Sequence, residues 1–260
     1  MLRVRGLNVI AQQSKGTSGI PVKNGKRDAV GEKEDNEETK PKKSFKEPVK
    51  AQFAVSNYFP RQSQLDKDTR AEMVNWIVEV QDATQLLHET LYLAVKLFDV
   101  YLTRAGKEMY DALPINDLIS LAGDDFTTKI LEGKERELLR TISYDLGAPL
   151  SYNYLRRYAK VTGTAMKTLI LARYILETSL LFFEFAMASE AKNAAAAFLL
   201  ALRMMDGSAE WTPLLEKYSG LFAAEVEPLC WEMNHMMHIK ASNRGINPKI
   251  TNIFIKYSDS

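Results

Sequence analysis

At 260 residues, 46% apolar and 10% aromatic, the chain can bury a sizeable core in one or two domains. No apolar run reaches the roughly 18 residues that a membrane span needs, and a lone cysteine, Cys230, excludes an intramolecular disulfide and suits a reducing compartment. The net charge of +1 is uneven: residues 1–50 hold 12 Lys/Arg and 7 Asp/Glu and the remainder 22 and 26, so a mildly acidic body argues against nucleic acid as the main partner.

Residues 1–50 are poor in aromatics and rich in Lys, Glu, Gly and Pro, a composition that cannot offset the entropy of ordering, and the expectation is a disordered tail. Arg3, Arg5 and the absence of acids before Asp28 would suit a mitochondrial presequence, but serine is sparse and the apolar periodicity weak. Lys26-Arg27 and Lys40-Pro41-Lys42-Lys43 bracket an acidic spacer, which reads equally as a bipartite nuclear signal or a solvated charge run. Residues 51–65 form a lead-in that Pro60 keeps from being one helix.

Two helices are expected over 68–102. Asp66 or Asp68 can cap the first, and Met73, Val74, Trp76, Ile77, Val78 and Val80 give it more than one apolar stripe, so burial on most sides is expected. Gln85 to His88 is the break. Leu91, Ala94, Val95, Phe98 and Leu102 make one face of the second helix. Arg70 opens the first and Asp99 closes the second. An antiparallel pair would set these ends side by side, where a bidentate ion pair is feasible, although spacing alone favours two solvated charges.

Downstream, Pro114 to Leu121 reads as a short helix with proline in its first turn, and Thr127 to Ile142 as a longer one with Ile130, Leu131, Leu138, Leu139 and Ile142 as its apolar set. Gly147-Ala148-Pro149 ends the first half. The second half reads as five helices: 151–161, Met166 to Phe183, a run capped by Ser189 whose NAAAAFLLAL core is tightly buried, one opened by Thr212-Pro213, and Ala223 to Lys240. Cys230 and the Met233, Met236, Met237 cluster suit core packing.

Residues 69–80, Thr-Arg-Ala-Glu-Met-Val-Asn-Trp-Ile-Val-Glu-Val, resemble the cyclin-box signature Met-Arg-x-Ile-Leu-Val-Asp-Trp-Leu-x-Glu-Val, and ETLYLAVKLFDVYL is close to the family's second helix. RQSQL, HETLYLAVKL, YLRRYAK, MKTLILARYILE and KYSG resemble the B3 branch of the B-type cyclins. The resemblance implies an all-α fold of tandem five-helix boxes forming a degenerate internal repeat, with a tail over 1–50, a first box over 51–148 and a second over 149–260. In the family the Arg70 and Asp99 positions pair. The family's buried third helix has only Ala105-Gly106-Lys107-Glu108-Met109-Tyr110 as a remnant here, so the first box lacks most of its centre. The long helix before the lead-in has no visible counterpart, and the chain stops inside the family's last helix. The gap points to a splice variant or an incomplete gene model, and to apolar faces over 73–80 and 91–102 left uncovered.

By the same resemblance the chain is not an enzyme. The resemblance implies a regulatory subunit that would bind and activate a mitotic cyclin-dependent protein kinase in the nucleus, in mitotic or meiotic control, contacting the kinase through Lys107 and Glu135. Kinase substrates would dock on a patch at Met73, Trp76 and Glu79, where Thr69 and Glu72 replace two of the family's apolar residues. No destruction box is present in the tail, and Lys33-Glu34-Asp35-Asn36 only approximates a Lys-Glu-Asn degron. The shortened first box predicts weak kinase binding and poor activation, so a cyclin-like variant that has lost activation is the rival reading. A transcription adaptor with twin cyclin boxes ranks behind both, because the body is acidic and one cysteine cannot build a zinc ribbon. No phosphate loop, nucleophile elbow or His-Glu-x-x-His motif occurs, and His235 and His238 lack a third ligand at metal spacing, so no cofactor or metal is expected.

Overall fold

The computed structural model describes residues 51–62, 65–105, 128–241 and 250–258, and every regular element in them is helical. The expected tail over 1–50, the Pro114–Leu121 helix and Lys107 lie outside the described residues.

Two 3-10 turns, Ala51–Phe53 and Phe59–Arg61, form the lead-in, the second carrying Pro60 at its start as proline's fixed φ allows. Helix α1 (Lys67–Thr84) begins at Asp66, whose carboxylate accepts from the Thr69 amide at 2.7 Å, and ends where Gln85 turns left-handed at φ 54°. Helix α2 (His88–Arg104) follows, then α3 (Thr128–Thr141). The second half holds α4 (Ser151–Thr162), α5 (Met166–Ser179), the short α6 (Phe183–Ala186), α7 (Glu190–Met205), α8 (Pro213–Ser219) and α9 (Ala223–Ala241). A final helix, α10 (Asn252–Ser258), returns to pack on α1 and α5.

Helix α7 is the axis of the second half. Ala194 to Leu199 have no measurable exposure, and α4, α5 and α9 pack around them. A row of alanines lets three helix backbones approach closely, which a bulkier run would prevent. Cys230, Met233 and Met236 join the same core from α9.

Three sequence expectations change. Helix α1 is buried along one stripe, Arg70, Met73, Val74, Val78 and Gln81, while Trp76, Ile77 and Val80 are half-buried. Helix α2 is the one buried nearly all round. Tyr92 enters the second-half core, Leu91 and Val95 meet α1, Tyr101 and Leu102 meet the lead-in, and Leu97 and Val100 meet Phe53 and Ile142. The helix expected over Met166 to Phe183 stops at Ser179, and α6 restarts the path.

The apolar faces expected to be uncovered are covered: no large apolar side chain of 73–80 or 91–102 is exposed. Other parts of the chain supply the partners. Leu181, Ile250 and Ile253 pack on Val74, Val78, Leu91 and Val95, and Tyr58, Leu65 and Phe183 pack on Tyr101 and Leu102. Burial at about 25 cal/mol per Å2 of apolar surface makes this exchange of partners worth several kcal/mol.

Candidate functional site

The Arg70 guanidinium donates through Nε to Asp99 Oδ1 at 2.8 Å and through a terminal nitrogen to Asp99 Oδ2 at 2.7 Å, a bidentate fork with side chains 1% and 2% exposed. Its other terminal nitrogen donates to the Leu180 carbonyl at 2.9 Å, and the Tyr58 hydroxyl donates to Asp99 Oδ1 at 2.8 Å. One buried pair thus ties the lead-in, α1, α2 and the start of the α5–α6 link. Burial works against the Arg70 charge, yet Asp99 and Tyr58 outweigh it and hold the guanidinium more firmly protonated than usual. Burial, then the Asp99 charge, pushes the Tyr58 phenol well up.

A second buried charge lies at the far end of the same helix pair. Glu177 has no exposure, and it accepts from His88 Nδ1 at 2.9 Å and from Lys256 Nζ at 2.8 Å. Lys256 also donates to Gln81 at 2.7 Å. Burial alone would raise this carboxyl, but the hydrogen bond from His88 and the Lys256 charge win and lower it. Here α1, α2, α5 and α10 meet. Nearby, Lys96 of α2 pairs with Glu190 of α7 at 2.9 Å, and Glu190 accepts from the Ser151 amide at the start of α4.

The α3 surface presents different chemistry. Leu138, Leu139 and Ile142 turn inward, Tyr101 donates to Glu137 at 3.1 Å, and Arg104 donates to the Thr141 carbonyl at 3.1 Å. Glu135 is left exposed, and beyond the helix end Tyr144 and Leu146 are exposed at 61% and 48%. Tyr144 takes φ 56°, a left-handed conformation that non-glycine residues seldom adopt.

Of the expected docking patch, Met73 is turned into the core at 6% exposure, because it lies on the buried stripe of α1. Trp76 and Glu79 are half-buried and reach the surface, and Glu79 Oε2 accepts from the Asn252 side chain at 3.3 Å. Thr69 is spent on Asp66 through both its amide and its hydroxyl. His235 and His238 are exposed on α9, and no group of three metal-ligating side chains occurs among the described residues. Cys230 is buried, and burial pushes its thiol up, away from nucleophilic reactivity. Sequence reasoning missed Tyr58, Glu177 and Lys256. For Glu177 the signal was a lone carboxylate in the apolar run of α5, whereas Tyr58 lies 41 residues from its partner with nothing local to announce it.

Residues 42–110 match the cyclin N-terminal domain and residues 149–260 the cyclin C-terminal domain. The chain belongs to the cyclin family. It resembles the B3 branch, being 43% identical over 228 residues to a G2/mitotic-specific cyclin-B3 of Caenorhabditis elegans, a match spanning 79% of this chain and 58% of that cyclin. Identity is 39% over 214 residues to the cyclin-B3 of Drosophila melanogaster, with coverage of 73% and 37%, and 32% over 234 residues to that of Homo sapiens, with coverage of 83% and 16%. The chain therefore spans less than two thirds of these cyclins. A viral cyclin from herpesvirus saimiri shares the fold, with a TM-score of 0.52 at 17% identity over 69% of this chain and 92% of that one. Helix α3, with Glu135, lies between the two matched cyclin domains.

Proposed function

We propose that this cyclin is the regulatory subunit of a mitotic cyclin-dependent protein kinase and contacts that kinase through the exposed face of α3 that carries Glu135. The observation that carries this reading is the combination on that surface. Glu135 on α3 and, past the helix end, Tyr144 and Leu146 are exposed, and the helix is braced from behind by Tyr101, Arg104 and Ile142. Exposed aromatic and apolar side chains at the end of a braced helix suit an interface, where aromatic anchors carry most of the energy and a carboxylate such as Glu135 belongs to the polar rim. Activation by such a subunit needs a rigid face more than reactive groups, since the work is to hold a mobile kinase helix in place.

The reading extends to substrates, which dock along α1 at Trp76 and Glu79, and to a nuclear location through the basic clusters at 26–27 and 40–43. The G2/mitotic-specific cyclin-B3 relatives support a role in cell division, mitotic or meiotic. The test is a pull-down of a purified cyclin-dependent kinase by the tagged chain, followed by histone phosphorylation at matched concentration. Co-purification with stimulated phosphorylation is expected, and Glu135→Arg should weaken both at least tenfold. Co-purification without stimulation would make the chain a cyclin that has lost activation. Failure of both in the unsubstituted chain would overturn the reading.

A further inference from the structure

Helix α9 has two unlike faces. Val226, Cys230, Met233 and Met236 are buried in the core of the second half. On the other side Ala224, Pro228, Trp231, His235 and His238 are all exposed, Trp231 at 67%. Their steps of four, three, four and three residues are those of a coiled-coil seam, here facing water. An indole in water forfeits the burial that makes tryptophan an interface anchor. The charges of α9 are divided by end. Glu225, Glu227 and Glu232 fall in its first half, and His235, His238 and Lys240 in its second. Glu225 and Glu227 already pair with Lys192 and Arg203 of α7. Glu232, exposed one turn before His235, has no ion pair among the described residues.

We propose that this face joins two copies of the chain, with α9 packed antiparallel on the α9 of a second copy about a two-fold axis beside Met233. A two-fold contact must be self-complementary, and this ladder is. In that register Trp231 meets the second copy's His235, and Pro228 meets its His238. The indole face suits an imidazole, and more so a protonated one. Each Glu232 lies beside the second copy's His235, so the one acid without a cation gains a basic neighbour. The acidic end of each helix lies along the basic end of the other, and the helix dipoles oppose. A parallel copy would set acid against acid instead. The ladder is about 21 Å long on a helix about 10 Å across, which covers roughly half of the ~800 Å2 per partner of a standard interface. The dimer is therefore weak, with a dissociation constant of about 0.1 mM rather than nanomolar.

The test is sedimentation equilibrium on the full chain, from low micromolar to millimolar concentration, at about pH 6, below the ordinary imidazole pKa of about 6.5. A reversible monomer–dimer equilibrium is expected. Trp231→Glu should weaken it at least tenfold and leave the circular dichroism of the dilute chain unchanged, because the indole is mostly exposed. Glu232→Lys sets a cation against the second copy's His235, and His235→Glu sets an acid against its Glu232, so each alone should weaken the dimer at least fivefold. The two changes together restore opposite signs across the axis and should recover most of the loss. A chain that stays monomeric at millimolar concentration, or a dimer indifferent to Trp231→Glu, would overturn the proposal. A dimer that needs Trp231 and is not recovered by the double change would overturn the antiparallel contact.

Discussion

Asp99 receives three hydrogen bonds, two from Arg70 and one from Tyr58, at 2% exposure. Removing it leaves a guanidinium 1% exposed without its carboxylate partner, facing the Leu180 carbonyl, Tyr58 and the Phe183 ring. Breaking a buried pair from one side costs about 3–5 kcal/mol, so Asp99→Ala should destabilise by that amount in urea titrations. The exposed Arg156–Glu89 pair is the control, and Glu89→Ala should cost less than about 1 kcal/mol. A loss below about half a kcal/mol at Asp99 would mean that the pair is solvated. Glu177 carries a pH dependence of definite sign. Its folded carboxyl is held below the ordinary 4.5 by His88 and Lys256 against burial, so it binds fewer protons folded than unfolded. Its contribution is therefore complete above pH 4.5 and lost as pH falls through the depressed value. Lys256→Met should lower stability at neutral pH and flatten the acid limb, because one of the two groups that depress the carboxyl is gone. An acid limb as steep as in the unsubstituted chain would locate the dependence elsewhere.

At the level of elements, α7 shows how narrow the packing tolerance is. Ala196 has no exposure in a helix with neighbours on three sides, and Ala196→Leu should cost about 1–3 kcal/mol by overpacking. Met204→Leu at the exposed end of the same helix should leave the melting temperature unmoved. That element was readable from its run of alanines and leucines alone. So were the α1–α2 break at Gln85 and the Thr212 cap, because turn and cap chemistry is local, while the choice between Asp66 and Asp68 as the α1 cap was left to the structure, which takes Asp66. The Arg70–Asp99 geometry needed the family resemblance, since spacing alone favours two solvated charges. What stayed illegible is long-range. Nothing near α1 foretells that Ile253 will bury Val74 and Val78, or that Lys256 will find Glu177, 79 residues away. Met73 entered the docking patch through the resemblance, while its apolar periodicity pointed to burial, and the structure places it on the buried stripe of α1.

Taken whole, the two halves are unequal in how they make their cores. Among the described residues, the largest buried cluster is built from residues of 149–241 with only Tyr92 from the first half, backed by Leu93 and Ala148. The first half borrows. Val74, Val78, Leu91 and Val95 are buried against Leu181, Ile250 and Ile253, and Tyr101 and Leu102 against Phe183. A fully buried aliphatic or aromatic side chain is worth about 1.5–3 kcal/mol, and a domain's whole stability is about 5–15 kcal/mol. Stripping those partners from six buried side chains leaves the first half with little or nothing. Expressed alone, residues 149–241 should melt cooperatively, whereas residues 51–148 should bind a hydrophobic dye and melt without a cooperative transition. Mixing 51–148 with 149–258 should suppress the dye signal, because the second fragment returns Leu181, Phe183, Ile250 and Ile253 in one piece. A cooperative melt of 51–148 by itself would show that the borrowed contacts are not what keeps the first half folded.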